Sequence, residues 1–168
     1  MSSNTVVRLA DEFREVMAGV CTPVSVVTAL TSEGRPHGTT VSAFASLSMT
    51  PPMVMVSLDR GSDLLAHVRE TGRFGLNVLD SRQSAVALRF ASKGADKFAG
   101  VGWETHTGVP RVLGSGGFLG CTVADLVGGG DHIILLGTVV AAESVPGRPL
   151  TYHDRVFGTH AALEEASR

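Results

Sequence analysis

The stretch GTTVSAFASLSMTPPMVMVSLDRGS, residues 38–62, decides the fold of this chain. It contains most of one strand-like run, HGTTVSAF (37–44), and all of a second, MVMVSL (53–58), with two prolines between them. The run before it, VSVVTAL (24–30), is rich in β-branched residues, and TSEGRP (31–36) is typical of a tight turn. These patterns predict a β-hairpin followed by a further strand.

The rest of the chain favours strands joined by hairpins. Amphipathic spacing predicts an N-terminal helix, and Ser62 and Ser81 can each cap a short helix. The predicted helices are 5–18, 63–71, 81–90 and 160–168, and the predicted strands are 24–30, 37–44, 53–58, 74–79, 117–127 and 132–144, the last two joined through Gly128, Gly129 and Gly130. Regular β–α alternation is absent, so the pattern predicts a mainly β fold, an antiparallel β-barrel with short helices.

The composition excludes several classes of protein. A chain of 168 residues that is 43% hydrophobic and 18% charged can form one domain with a core and is not disordered. It has no apolar stretch of membrane-spanning length and no signal-peptide pattern, so we expect a cytoplasmic protein with no membrane contact. A net charge of −2 argues against nucleic-acid binding. Two cysteines, Cys21 and Cys121, do not form a disulfide framework.

Motifs of several common sites are missing. The glycines of GSGGFLG (114–120) miss the GxGxxG spacing by one residue, and no convincing helix follows, so a Rossmann site is not expected. The six histidines form neither HExxH nor a short Cys/His cluster, so no metal site is expected. A GxSxG nucleophile motif is absent as well.

Hydroxyl side chains are concentrated between His37 and Ser62. The eight residues are Thr39, Thr40, Ser42, Ser46, Ser48, Thr50, Ser57 and Ser62. They form either the solvated face of a sheet or a lining of neutral donors for a planar ligand that carries a phosphate. The only two lysines, Lys93 and Lys97, lie in FASKGADKFAG and either neutralise that phosphate or belong to a solvated loop.

Two further segments place polar side chains beside turns. Asp131-His132 stands where a glycine turn enters an apolar strand, so the histidine is either a surface residue or a contact for a substrate amide or carbonyl. The only tyrosine, Tyr152, lies among arginines and a histidine in RPLTYHDR (148–155). That segment is either an exposed turn or a loop that binds an anionic nucleotide tail.

Taken together, these segments resemble the flavin reductase-like family, FMN-binding split-barrel proteins that are the reductase components of two-component flavin-dependent monooxygenases. The resemblance is carried by the order and spacing of residues 38–62, FGLNVL (74–79), ADKFAG (95–100), GDHIILLGTV (130–139) and PLTYHDR (149–155). It implies a homodimer with a Greek-key split barrel. The whole chain, 1–168, would be a single domain with an N-terminal helix at 1–18, the barrel at 20–158 and a tail at 159–168.

The resemblance assigns the candidate residues to two ligands. The flavin, FMN or FAD, would contact Thr39, Thr40, Val41, Ser42, Ser46, Leu47, Ser48, Ser57, Asp59, Arg60, Ser62, Asn77, Ala91, Lys97 and Phe98. The nucleotide, NADH or NADPH, would contact His132, Tyr152, His153, Asp154 and Arg155. His132 is the catalytic candidate, since it would position the nicotinamide carboxamide without acting as an obligatory general base.

The implied function is an NAD(P)H:flavin oxidoreductase that supplies reduced flavin to a separate flavin-dependent monooxygenase. Its contribution to catalysis would be to hold the two rings face to face, because the cofactors carry the chemistry. Part of the glycine-rich region 100–130, which holds ten of the 20 glycines, would let the backbone approach the flat rings. A pyridoxamine-phosphate-oxidase-like enzyme and a non-catalytic flavin-binding barrel are the alternatives.

Overall fold

The structure, a computed structural model, describes residues 3–94 and 96–163, with side chains from Val7 onward. The helices are α1 (Ser3–Ala18), α2 (Asp63–Thr71) and α3 (Ser84–Ala91). The strands are β1 (Thr22–Pro23), β2 (Ser25–Leu30), β3 (Pro36–Val41), β4 (Phe44–Met49), β5 (Pro52–Asp59), β6 (Arg73–Val78), β7 (Trp103–His106), β8 (Val109–Val112), β9 (Gly117–Gly129), β10 (His132–Ser144), β11 (Leu150–His153) and β12 (Val156–Thr159).

The main sheet has seven strands in the order β3-β2-β6-β9-β10-β5-β4, and every pair is antiparallel. Strands β1, β11 and β12 form a second sheet, and β7 and β8 form a third. The prediction of a mainly β, antiparallel fold is therefore confirmed. Among the strands described, no hydrogen-bonded ladder joins the outer strands β3 and β4.

Strand β2 is buried on both faces, which explains its uninterrupted apolar run. Val27 and Ala29 belong to one buried cluster, and Val24 and Val26, in and just before the strand, belong to the other, because alternate residues of a strand point to opposite faces. Helix α2 covers the first cluster with its buried residues Leu64, Leu65 and Val68, and Phe90 of α3 lies in the second.

Helix α3 begins later than predicted. Residues 81–83 form a turn instead, because the Asp80 carboxylate accepts hydrogen bonds from both the backbone N–H and the Nε of Arg82 (3.1 and 2.6 Å). Ser62 does precede α2 at the N-cap position, but its side chain makes no cap hydrogen bond. The hydroxyl of Ser62 is therefore not used by the helix.

Several short strands were not predicted from the sequence. Strand β4 carries a bulge between Ser46 and Ser48, which breaks the alternating pattern that would identify a strand. Strands β7, β8, β11 and β12 have four residues each and are too short for a periodic signal. The predicted helix over 160–168 is wrong for 160–163, which are irregular, and 164–168 lie outside the described residues.

The two cysteines differ in their surroundings. Cys21 is exposed, whereas Cys121 is buried, and burial raises the pKa of the Cys121 thiol to about 12. Because thiol reagents attack the thiolate, we expect one thiol per chain to react with Ellman's reagent under native conditions and two in denaturant. Replacing Cys21 with serine should abolish the native reaction. Rapid native labelling of both thiols would contradict this prediction.

None of the helices in the described part of the chain is both long and apolar enough to cross a bilayer.

Candidate active site

A cavity of about 350 Å³ lies where the end of β5 meets the start of β10 and the end of β3. We call it the His132 cavity. Its lining residues are Thr39, Thr40, Val41, Ser42, Ala43, Ser57, Leu58, Asp59, Ser62 and His132. Pairing of His132 with Asp59 across the β5–β10 ladder brings the histidine to the hydroxyl-bearing strand. The Ser57 amide also donates to the carbonyl of Ala43 (2.9 Å), which holds the β3–β4 connection against β5.

A second cavity, of about 550 Å³, continues from the first. We call it the lysine cavity. Its lining residues are His37, Thr39, Asp59, Gly61, Ser62, Asp63, Ala91, Ser92, Lys93, Gly94 and Lys97. Thr39, Asp59 and Ser62 line both cavities, so the two form one groove that runs from His132 to the lysines.

His132 is held by its neighbour in the turn before β10. Its Nδ1 lies 2.8 Å from Oδ1 of Asp131, and its side chain is 42% exposed. This hydrogen bond and the imidazole charge hold the pKa of the Asp131 carboxyl below its usual range. Because a carboxylate only accepts, Nδ1 donates to Asp131, and Nε2 is left as the nitrogen for a ligand.

The hydroxyls of the groove do not all have the same role. The Thr40 hydroxyl donates to the carbonyl of Ala87 (2.6 Å) and thereby ties β3 to α3. Ser62, in contrast, stands at the start of α2 without capping it, and the first N–H groups of a helix have no intrahelical partner. The groove thus offers a hydroxyl that does not cap the helix, beside the helix N-terminus, a donor set that suits an anionic oxygen.

Lys97 supplies positive charge to the other end of the groove. Its ammonium group donates to the carbonyl of Phe90 (2.9 Å), and partial burial lowers the pKa of Lys97, opposed by the nearby Asp63. Lys93 lines the same cavity. The neutral hydroxyls near His132 and the ammonium groups beyond them fit a ligand with a polar ring system and a phosphate.

Several predicted flavin contacts lie away from the groove in this chain. Ser46, Leu47 and Ser48 belong to the edge strand β4 and line neither cavity. Phe98 is buried and packs edge to face against Phe90 and Trp103, with ring centroids 4.8 and 5.5 Å apart. Their flavin contacts stay predictions.

Asn77 is fully buried in β6, where its amide joins three segments of the chain. Its Nδ2 donates to the carbonyl of Val26 (3.1 Å), and its Oδ1 accepts the backbone N–H of Val112 (2.8 Å). It lines neither cavity of the groove, so a flavin contact from Asn77 also stays a prediction.

The predicted nucleotide loop is attached to α1. Asp154 and Arg155 adopt positive φ in the turn between β11 and β12, and the Asp154 N–H donates to the carbonyl of Ala18 (2.8 Å). Arg155 forms an ion pair with Glu15 at 2.6 Å. None of Tyr152, His153, Asp154 and Arg155 lines the groove of this chain, so their role also stays a prediction.

Sequence reasoning missed some of the lining. Ala43 lines the His132 cavity from a loop, and Leu58 lines it from β5. Only their adjacency in the sequence to predicted residues could have indicated that they line the site. His37 and Asp63 flank the hydroxyl segment, whereas the sequence did indicate Lys93, together with Lys97, as a candidate for the phosphate. None of the ten glycines between 100 and 130 lines either cavity. Four of them, Gly100, Gly108, Gly114 and Gly130, have positive φ, and Gly120 packs against Thr107.

His37 makes stability depend on pH. Its Nδ1 is buried with no hydrogen-bond partner among the described residues, and its ring centroid lies 5.1 Å from that of His67. Burial, then His67 and Lys97, lower the pKa of His37, while Asp63 opposes them. His37 is therefore protonated more readily in the unfolded chain than in the folded chain. As a result, the free energy of unfolding decreases as pH falls below about 6.5.

We expect His37→Gln to reduce the loss of unfolding free energy between pH 7.5 and 5.5, measured by urea denaturation. The glutamine cannot titrate, so its contribution is the same at both pH values. The exposed His160→Gln is the control, and it should leave the pH dependence as in the parent chain. An unchanged pH dependence in His37→Gln would contradict the assignment.

Residues 17–161 match the family described as the flavin reductase like domain. The chain is 40% identical over 147 residues to the reductase component of 4-nitrophenol 4-monooxygenase/4-nitrocatechol 2-monooxygenase from Rhodococcus opacus, covering 88% of this chain and 79% of that relative. It is 39% identical over 152 residues to an NADH:riboflavin 5'-phosphate oxidoreductase from Streptomyces pristinaespiralis, covering 88% and 86%.

Solved structures show the same fold. Nitrilotriacetate monooxygenase component B from Mycobacterium thermoresistibile superposes with a TM-score of 0.87 at 32% identity over 95% of both chains. An NADH:FAD oxidoreductase from Streptomyces globisporus C-1027 gives 0.84 at 30% identity, covering 89% of this chain and 92% of that one. These likenesses confirm the predicted split-barrel fold. Together with the match over residues 17–161, they show that the chain belongs to the flavin reductase-like family.

Proposed function

We propose that this protein is an NADH:flavin oxidoreductase that supplies reduced flavin to a separate flavin-dependent monooxygenase. The observation that carries the proposal is the groove, in which hydroxyls of β3 and β5, His132 and the two lysines come together from distant parts of the chain. Relatives at 39–40% identity that are a monooxygenase reductase component and an NADH:flavin oxidoreductase support the same activity.

The flavin is proposed to bind along the groove. Its ring system would lie in the His132 cavity against Thr39, Val41, Ser42 and Ser57, where neutral donors and backbone can hydrogen-bond to ring carbonyls. Its phosphate would lie toward Ser62, the first N–H groups of α2 and Lys97. Asp59 and Ala91 complete the proposed walls of the groove.

When bound, the flavin would supply the electron-accepting ring for a hydride from C4 of the nicotinamide. The protein's own contribution is to hold the two rings in register. His132 stands at the start of β10, opposite the end of β5, with Nε2 available, so we propose that it contacts the nicotinamide carboxamide and sets the position of that ring. Its other nitrogen donates to Asp131, which fixes the orientation of the ring.

A homodimer would bring further residues to the site. Helix α1 exposes an apolar face in which Leu9, Phe13 and Val16 are 60%, 62% and 69% accessible, and such a face favours burial against a second copy. The loop of Tyr152, His153, Asp154 and Arg155 is anchored to this helix. We propose that the loop binds the remainder of the dinucleotide across the subunit interface.

The groove takes FMN or FAD in this proposal, since relatives acting on each of them share the fold. NADH is the proposed reductant in preference to NADPH, because NADH is the nucleotide in the names of both oxidoreductases. A cytoplasmic location is proposed on the two unpaired cysteines, which fit a reducing compartment.

The test is a steady-state assay of NADH and NADPH oxidation with FMN, FAD and riboflavin. We expect flavin-dependent oxidation of NADH, with FMN used at lower concentration than riboflavin because the phosphate adds charge-assisted contacts. A protein that binds flavin but oxidises no nucleotide would instead be a non-catalytic flavin-binding barrel.

A further inference from the structure

Arg60 follows the last residue of β5 and holds the turn that precedes His132. Its backbone N–H donates to the carbonyl of Asp131 (3.0 Å), and its Nε donates to the carbonyl of Gly130 (2.7 Å). One residue just beyond β5 therefore binds two successive carbonyls of the turn.

This contact comes at the point where the strand ladder ends. The last paired residues of β5 and β10 are Asp59 and His132, and the pairing of His132 with Gly129 of β9 leaves Gly130 and Asp131 as a two-residue turn beyond the β5 ladder. Gly130 in that turn has a φ of 64°, a conformation that needs glycine. The Arg60 guanidinium thus extends the ladder by one side-chain bond to the residues just before His132.

Gly128 makes room for the guanidinium. A Cβ built on Gly128 would lie 3.0 Å from Nη2 of Arg60, tighter than nine in ten real contacts of that kind, whereas a Cβ on Gly129 would lie an ordinary 3.7 Å from Ile134. A methyl group at position 128 would shift the guanidinium by a few tenths of an ångström, while one at position 129 would leave it in place.

We propose that Arg60 is a positioning residue for His132. By fixing the carbonyls of Gly130 and Asp131, Arg60 sets the backbone from which the Asp131 carboxylate orients the imidazole, and so sets where the nicotinamide is held. The inference rests on the proposed role of His132 in NADH binding. It differs from the role predicted for Arg60 from the sequence, a direct contact with the flavin.

The two roles of Arg60 predict different kinetics. If Arg60 bound the flavin phosphate, it would strengthen the binding of FMN but not of riboflavin, which lacks the phosphate. A positioning residue for His132 changes the KM for NADH and does so equally with either flavin. Arg60→Met retains the aliphatic stem and the backbone N–H that donates to Asp131, and it removes every side-chain donor, so it separates the two roles by the bond to Gly130 alone.

We expect Arg60→Met to raise the KM for NADH about three- to tenfold with both FMN and riboflavin, the loss of roughly one hydrogen bond. Flavin affinity, measured by fluorescence quenching, should stay within about twofold of the parent value. In a His132→Ala background the same substitution should have little further effect, because the positioned group is gone. The control is Arg69→Met, an exposed arginine in the last turn of α2 that lines neither cavity.

Gly128→Ala offers an independent perturbation with Gly129→Ala as its matched control. Gly128→Ala should raise the KM for NADH in the same direction as Arg60→Met and should add little to it. Gly129→Ala should leave the KM unchanged.

A second measurement does not depend on catalysis. The Hε1 NMR signal of His132, assigned by its loss in His132→Ala, should shift in Arg60→Met and Gly128→Ala but not in Arg69→Met and Gly129→Ala. An unmoved signal would overturn the inference. So would a weakened affinity for FMN alone, or an Arg60→Met effect that persists undiminished without His132. A parent chain that oxidises no NADH would instead reject the proposed function, and the NMR comparison would still test the positioning.

Discussion

Replacing His132 with alanine should lower kcat/KM for NADH by about ten- to a hundredfold while flavin binding survives. The side chain stands at the first position of β10, across from Asp59, and its Nε2 is the nitrogen available to a ligand. Removing it leaves the groove walls of β3 and β5 in place. The loss should therefore fall on the positioning of the nicotinamide.

The experiment measures steady-state kinetics with NADH at saturating FMN and, separately, the apparent Kd of FMN by fluorescence quenching. His160→Ala is a suitable control, because that residue is exposed and irregular and lines neither cavity. A variant that loses flavin affinity and NADH use to the same extent would contradict the assigned role. It would show that His132 supports the whole site.

Replacing Asn77 with alanine should lower the free energy of unfolding by about 2–4 kcal/mol. The variant leaves the Val112 N–H without its acceptor and removes the donor to the Val26 carbonyl, both inside the protein. Burying such groups unpaired costs more than the bond itself contributes. For a chain of this length the melting temperature should fall by roughly 5–15 °C.

Ser25→Ala is the matched control for Asn77→Ala. Ser25 is also fully buried and lies in β2, the strand paired with β6, but its hydroxyl has no hydrogen-bond partner among the described residues. Removing that hydroxyl should therefore be neutral or slightly stabilising. Both variants are compared by thermal and urea denaturation, and an Asn77→Ala chain as stable as Ser25→Ala would refute the argument.

The elements with a strong repeating pattern were predictable from the sequence. The apolar run of β2, the spacing of Leu64, Leu65 and Val68 in α2, and the glycine-bounded runs of β9 and β10 indicated each element to within a few residues. Strand β4 was not separable from its surroundings, because its bulge shifts the alternation of side chains. The start of α3 was missed because Asp80 organises a local turn.

The candidate site was only partly predictable. The hydroxyls of β3 and β5 and His132 do share one cavity, although they are far apart in the chain. Asn77 and Arg60 show the limit of such prediction, because a polar side chain can serve a ligand or the protein's own backbone. Both have backbone partners here, in β2, β8 and the turn before His132. Sequence pattern does not reveal that choice, since it depends on which carbonyls other segments bring within reach.

The pairing of His132 with Asp59 makes the position of the imidazole depend on the register between β10 and β5. A slip of β10 along β5 by two residues would keep every side chain on its own face and yet carry the imidazole about 7 Å along the groove. Lengthening or shortening the Gly130–Asp131 turn is the simplest way for such a slip to arise. Loss of NADH oxidation in a fully folded insertion variant would therefore report a misregistered hairpin, which a melting curve alone would not detect.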